Sequence, residues 1–328
     1  MTNVLKQSIL KAGLGAVAFA LTIAPAASAD VDADLPVYKK SGSVSGNLSS
    51  IGSDTLNNLM TFWAENFRKH HPSVNIQIEG KGSSTAPPAL IAGTAQLAPM
   101  SRKMKSEEID AFVEKYGYEP TAIGVALDSL AVYVNKDNPI DSLSLQEVDA
   151  IFSKTRSGGA TKDIKTWGEV GLKGSLAKKP ISIYGRNSAS GTYAYFKSVA
   201  LSKGDYKDTV KEQPGSASVV QGVTSDEAGV GYSGIGYKTS GVKAIALAKK
   251  HGDTAFPPTY DNVLSGKYPL GRMLYVYVAK KPGQPIDPMI REFIKLTLSV
   301  EGQEIVAKDG YLPLPANIAA KELAKLDK

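Results

Sequence analysis

Three times along this chain a short apolar run stops at a turn of glycine and hydroxyls, and a helix-period pattern starts at once. Leu48-Ser49-Ser50-Ile51 runs into Gly52-Ser53-Asp54-Thr55, after which Leu56, Leu59, Met60, Trp63 and Phe67 recur at helical spacing. Val74, Ile76 and Ile78 alternate up to Gly80-Lys81-Gly82-Ser83-Ser84-Thr85, where Pro87 and Pro88 suit a first helical turn and Leu90 and Ile91 open its apolar face. Ile183-Tyr184-Gly185-Arg186 gives way to Asn187-Ser188-Ala189-Ser190-Gly191-Thr192, and Tyr193, Phe196 and Ala200 share one face of the helix that follows. Strands alternating with helices predict an α/β protein whose sheets are mostly parallel and flanked by helices. Ligands of such sheets sit beyond the carboxyl ends of the strands, where these hydroxyl turns lie.

The remaining chain supports two lobes. Leu97-Ala98-Pro99-Met100 is a further short strand ending in Ser101-Arg102, and an amphipathic helix over Ser106 to Tyr116 ends at Gly117. Thr121–Leu127 and Leu130–Val134 are apolar runs on either side of Asp128-Ser129 and mark a crossing into the second lobe. Ser144 and Glu147 form a capping box, Trp167 anchors a polar surface loop, and Gly229 to Gly236 reads as a glycine-rich return, the second crossing. Asp287-Pro288 opens a helix with Ile290, Phe293 and Ile294. The expected division is residues 30–129 with 237–328 as the first lobe and 130–236 as the second.

Residues 1–29 carry Lys6 and Lys11, an apolar run from Ala12 to Ile23 and the triplet Ala27-Ser28-Ala29, the pattern of a cleaved secretory signal peptide. Cleavage leaves 299 residues, 328 less 29, and lowers the formal charge from +6 to +4, since those two lysines are the segment's only charges. With no cysteine, the exported chain has neither disulfides nor a thiol to carry a lipid anchor. A soluble periplasmic protein is expected, released from the cell at most in part. The lysines are scattered and no basic block carries interleaved aromatics, which argues against nucleic acid as a partner.

The hydroxyl turns lack a base. His70 and His71 precede a proline and His251 stands in a lysine-rich segment, so all three read as solvated, and no metal-ligand spacing or nucleophile motif is present. Hydroxyls without a base bind rather than attack, so no catalytic residue, metal or cofactor is expected. The match of Gly229-Val230-Gly231-Tyr232-Ser233-Gly234 to a dinucleotide fingerprint lacks its strand and helix context and is set aside. One Ser/Thr-rich turn is ordinarily a helix cap. Three of them with Arg186, beside the first free N–H groups of a helix capped by Ser190, suit a small tetrahedral anion. A hydrolase using Ser190, or a receptor for sulfate, molybdate or tungstate, are the rival readings.

At Gly52-Ser53-Asp54-Thr55, Gly82-Ser83-Ser84-Thr85, Met100-Ser101-Arg102 and Arg186 through Ser190-Gly191-Thr192, the chain closely resembles the periplasmic phosphate-binding proteins of high-affinity phosphate ABC importers. The resemblance runs over nearly all of the mature chain. It implies a two-lobed periplasmic binding protein of the second type, which closes on inorganic phosphate in the cleft and delivers it to membrane permease subunits. A monomer is expected. It places Thr55, Ser83, Arg186, Ser190, Gly191 and Thr192 at ligand-contacting positions, with Ser53 and Ser84 in the same turns. Many members carry an aspartate in the turn that here reads Met100-Ser101-Arg102. The resemblance then implies that Asp54 supplies the missing carboxylate and that Ser101 or Arg102 adds a donor.

Overall fold

The computed structural model describes residues 30–327, so the expected signal peptide lies outside the described residues. No helix among them is long and apolar enough to cross a membrane. Two main hydrophobic cores divide the chain. The first gathers Leu48, Leu59, Trp63 and Phe67 with Ile123, Val125, Leu274, Val276, Phe293 and Leu314, and the second gathers residues from Leu130 to Leu270.

In the first lobe the strands Gly46–Ile51 and Val74–Glu79 pair in parallel, and helix Asn57–His70 buries the predicted stripe of Leu59, Met60, Trp63 and Phe67. Trp63 also donates from Nε1 to the Gly302 carbonyl at 2.9 Å, which satisfies its one polar group in the core. Strand Gly271–Val278 runs antiparallel between Ala98–Met100 and Thr121–Ser129. It returns from the other lobe and therefore meets both neighbours head to tail.

The second lobe holds a five-stranded sheet in the order Val242–Ala244, Ala131–Asn135, Gly229–Ser233, Ser182–Arg186, Lys211–Gln213. Both faces are covered. Val132, Val134, Val230 and Tyr232 pack with helices Leu145–Phe152 and Gly191–Val199, while Ala131 and Tyr133 pack with Val220 and Val223 of helix Ser216–Thr224. Burial on both sides explains why Ala131–Asn135 reads as a continuous apolar run instead of an alternating one.

Three expectations are corrected by this architecture. The sheets are not mostly parallel: the three-stranded sheet is antiparallel throughout and the five-stranded sheet is mixed, because the strands Gly271–Val278, Ala131–Asn135 and Val242–Ala244 pair antiparallel. Gly229–Ser233 is not a flexible return but a buried central strand. A Cβ on Gly231 would stand 2.8 Å from Val219 and 2.9 Å from Val223, so glycine there lets helix Ser216–Thr224 close on the sheet. Finally, Val242, Ile245, Leu247, Tyr268 and Leu270 belong to the second lobe's clusters, although the sequence reading assigned them to the first. Ile235 and Tyr237 touch the first core, and the chain then re-enters the second before leaving it after Leu270.

His71 is buried, not solvated. Tyr38 donates to Glu292 Oε2 at 2.7 Å, and His71 Nε2 lies 2.7 Å from the same Tyr38 oxygen. Burial lowers the imidazole pKa against the pull of Glu292, so a neutral ring serves this contact.

Asp309, just beyond helix Val300–Lys308, is half-buried, and burial pushes its carboxyl up to about 7 against a hydrogen bond from Asn58. An unfolded aspartate titrates near 3.9, at about pH 4. Between about pH 4 and 7 the folded chain therefore keeps a proton that the unfolded chain has lost, and stability falls as pH rises. Asp309→Asn is expected to raise the unfolding free energy by about 1–3 kcal/mol at pH 8, allowing for partial solvent screening, and by little at pH 4. Urea unfolding at both values checks this, and equal effects would remove the assignment.

Candidate functional site

Two of the three hydroxyl turns do not cap the helices they precede. Asp54–Leu56 forms a 3-10 turn ahead of helix Asn57–His70, and neither Ser53 nor Leu56 makes a side-chain cap. Ser83–Thr85 likewise forms a 3-10 turn ahead of helix Ala86–Ala92, again without a capping side chain at its N-terminus. Ser190 alone behaves as a cap, its Oγ accepting from the N–H groups of Thr192 at 3.1 Å and Tyr193 at 3.3 Å. The first N–H groups of that helix are thus partly satisfied, not all free as expected. A hydroxyl that accepts twice still has its own proton to donate.

The hydroxyls released from capping meet one another between the lobes. Thr55 Oγ1 lies 2.8 Å from Thr192 Oγ1, Thr192 Oγ1 lies 3.4 Å from Ser101 Oγ, and Ser101 Oγ lies 3.3 Å from Ser83 Oγ. All four residues are buried. Gly191 backs onto this chain of hydroxyls, where any Cβ would collide with Ser83 Oγ and stand 2.7 Å from Ser101 Oγ. Two tyrosines fix the first turn, Tyr237 donating to the Asp54 carbonyl and Tyr311 to the Thr55 carbonyl, each at 2.8 Å. Burial raises the pKa of both phenols and keeps them protonated donors.

Two ion pairs flank the cluster. Arg186, 1% exposed at the end of its strand, sets Nη1 3.0 Å from Asp54 Oδ2 and donates to Ser216 Oγ at 2.7 Å and the Pro214 carbonyl at 3.1 Å. Asp54 Oδ2 also accepts from the Ser216 N–H at 2.8 Å, so this pair ties the first lobe to the second. The Arg186 Nε, buried, has no partner among the described residues. The other pair was not foreseen. Arg272 donates from Nε to Asp128 Oδ2 at 2.9 Å, from Nη1 to the Ser101 carbonyl at 2.9 Å and from Nη2 to Thr192 Oγ1 at 3.0 Å. Asp128 Oδ1 accepts from the Ile235 N–H at 3.0 Å. A carboxylate inside the apolar run Thr121–Val134 was the one signal available for this pair, and it passed for a turn residue.

The remaining sequence candidates sit at the edge. Arg102 is held by Glu108 in a two-point contact at 2.6 and 2.7 Å, donates to the Lys103 carbonyl at 2.9 Å, and meets the hydroxyl turns only at Ser84 Oγ, 3.4 Å away. Ser84 donates its N–H to the Ala189 carbonyl of the other lobe at 3.1 Å. Ser53 is buried and donates its N–H to the Pro99 carbonyl at 2.8 Å. Structure thus brings Asp54, Thr55, Ser83, Ser101, Arg186, Ser190, Gly191 and Thr192 together, and leaves Arg102 and Ser84 at the rim. Among the described residues no group of His, Asp or Glu is arranged to hold a metal ion.

Residues 38–301 match the model of the PBP superfamily domain. The phosphate-binding protein PstS of Pseudomonas aeruginosa is 58% identical over 322 residues, covering 98% of this chain and 99% of that protein. Among solved structures, a protein of Clostridium perfringens assigned as a phosphate ABC transporter substrate-binding protein, solved with bound phosphate, superposes with a TM-score of 0.68. It is 25% identical, over 82% of this chain and all of that one. An ABC-type phosphate transport receptor of Vibrio cholerae, 23% identical over 81% of this chain and all of that one, shares the fold at a TM-score of 0.62. With the superfamily domain matched over most of its length and a relative this similar from end to end, the chain belongs to the phosphate-binding proteins of the PBP superfamily.

Proposed function

We propose that Thr55, Ser83, Ser101, Arg186, Ser190, Gly191 and Thr192 hold inorganic phosphate between the lobes, and that Asp54 accepts its proton. The chain is the phosphate-binding component of a phosphate ABC importer, a receptor and not an enzyme. It works in the periplasm as a monomer, after loss of residues 1–29, and hands phosphate to the membrane permease subunits. The observation that carries the site is the 2.8 Å contact between Thr55 and Thr192 across the lobes, made by hydroxyls that no helix cap employs. Energetics agree. Charge-assisted hydrogen bonds contribute about 1.5–3 kcal/mol each, so five gross roughly 8–15 kcal/mol, whereas micromolar binding needs about 8 kcal/mol net of ordering costs.

Proton counting assigns the role of Asp54. Near neutral pH phosphate still carries a proton, with a pKa of about 6 to 7 by analogy with phosphate monoesters, and sulfate carries none. Both partners of the Asp54 carboxylate among the described residues sit on Oδ2, which leaves Oδ1 to accept from protonated phosphate and to repel sulfate. Asp54→Asn is expected to weaken phosphate about tenfold or more, the worth of one charge-assisted bond, and to narrow the gap to sulfate. Calorimetric titration of wild type and variant with phosphate, sulfate and molybdate tests both statements. A wild type that prefers sulfate or molybdate overturns the phosphate reading, while undiminished discrimination in the variant overturns only the role of Asp54.

A further inference from the structure

Next to the hydroxyl cluster an open cavity of about 360 Å³ lies between the lobes. Ser84, Arg102 and Lys105 line it from the first lobe, and Tyr193, Lys197 and Lys203 from the second. Four lining residues are cations and none is a carboxylate. Their acidic partners stand outside the lining: Glu108 at 2.6 Å from Arg102, Glu107 at 3.4 Å from Lys105 and Asp205 at 2.8 Å from Lys197. Arg102 is 8% exposed, and its buried Nε has no partner among the described residues. Lys203 follows Ser202 in a turn where both take the left-handed backbone, at φ 66 and 47. Glycine or asparagine would adopt that turn with less strain, and it instead carries a lysine to the cavity wall. Cationic lining is not general in this protein, since another cavity of about 360 Å³ is lined by Asp141, Glu147 and Asp253 with His251.

We propose that this cavity is a vestibule for small oxyanions, a transient site that gathers phosphate at the cleft mouth before it reaches the hydroxyl cluster. The proposal rests on the phosphate reading above. A cleft lined by one sign of charge concentrates the field and raises the association rate, an effect that salt suppresses. Charge acting at the mouth changes arrival and leaves the bonds of the bound ligand alone.

The test is rapid-mixing kinetics of phosphate with a triple variant, Lys105→Gln, Lys197→Gln and Lys203→Gln. A control triple changes three exposed lysines outside the lining, Lys39→Gln, Lys173→Gln and Lys249→Gln, with the same loss of net charge. The vestibule variant is expected to associate about tenfold more slowly at low salt and to converge on wild type near 1 M salt, about where screening is nearly complete. Its dissociation rate, and both rates of the control, stay at wild-type values. Equal association rates in the two triples overturn the vestibule even though phosphate still binds. Failure of the wild type to bind phosphate would instead remove the reading on which it rests.

Discussion

Replacing Arg186 with alanine is expected to weaken phosphate binding at least about 100-fold, the worth of one to two charge-assisted hydrogen bonds. The guanidinium is 1% exposed and already oriented by Asp54, Ser216 and the Pro214 carbonyl, so no ordering cost remains when ligand arrives. Lysine should not rescue it, because a point charge cannot hold Asp54, Ser216 and a ligand in one plane. Its burial gives Arg186 a structural role as well. Loss of the side chain leaves Asp54 and Ser216 short of a partner and is expected to lower the unfolding free energy by about 1–3 kcal/mol. Calorimetry and thermal melting of the same preparation separate the two effects. Wild-type affinity in Arg186→Ala would show that the ligand lies elsewhere.

The largest loss of stability is expected from Arg272→Met. Asp128 is fully buried and Arg272 nearly so, and removing one member of such a pair costs about 3–5 kcal/mol because the other charge is left unpaired. An unfolding entropy of about 2.1 cal/mol/K per residue gives about 1.6 °C per kcal/mol for a chain of this size, so the unliganded protein should melt about 5–8 °C lower. Asp128→Asn should lose a comparable amount. The double variant Arg272→Met with Asp128→Leu should recover part of the loss, since it buries no lone charge. A drop of less than about 1 kcal/mol in the single variants would mean that water reaches the pair. Phosphate affinity should fall as well, because Arg272 Nη2 is what orients the Thr192 hydroxyl.

What the sequence disclosed was short-range. The stripe of Leu59, Trp63 and Phe67, the capping box at Ser144 and Glu147, and the helix opened by Asp287 are each written within one or two turns, and all are present. The hydroxyl turns could be located the same way, but not their use. Whether Thr55 caps a helix or reaches Thr192 depends on a lobe encoded more than a hundred residues later. Asp128 and Arg272 are separated further still and share no local pattern. His71 read as solvated because its cover, Tyr38 and Glu292, comes from opposite ends of the chain. The glycines of Gly229–Ser233 suggested a return between the lobes, whereas the reason for Gly231 is the helix that presses on the strand.

The return strand Gly271–Val278 carries a consequence for the order in which the protein can assemble. It lies between Ala98–Met100 and Thr121–Ser129, placing Val278 opposite Thr121 and Gly271 opposite Ser129. A chain emerging amino end first therefore presents Thr121–Ser129 long before the neighbour that completes its ladder exists. The second core takes all its buried residues from the stretch Leu130 to Leu270, apart from an excursion at Ile235 and Tyr237, and can close as soon as Leu270 is clear. The inserted lobe can thus fold while the lobe that contains both ends still waits with an open apolar edge. For that interval the unfinished half is the segment most prone to mispairing and most in need of a holding chaperone.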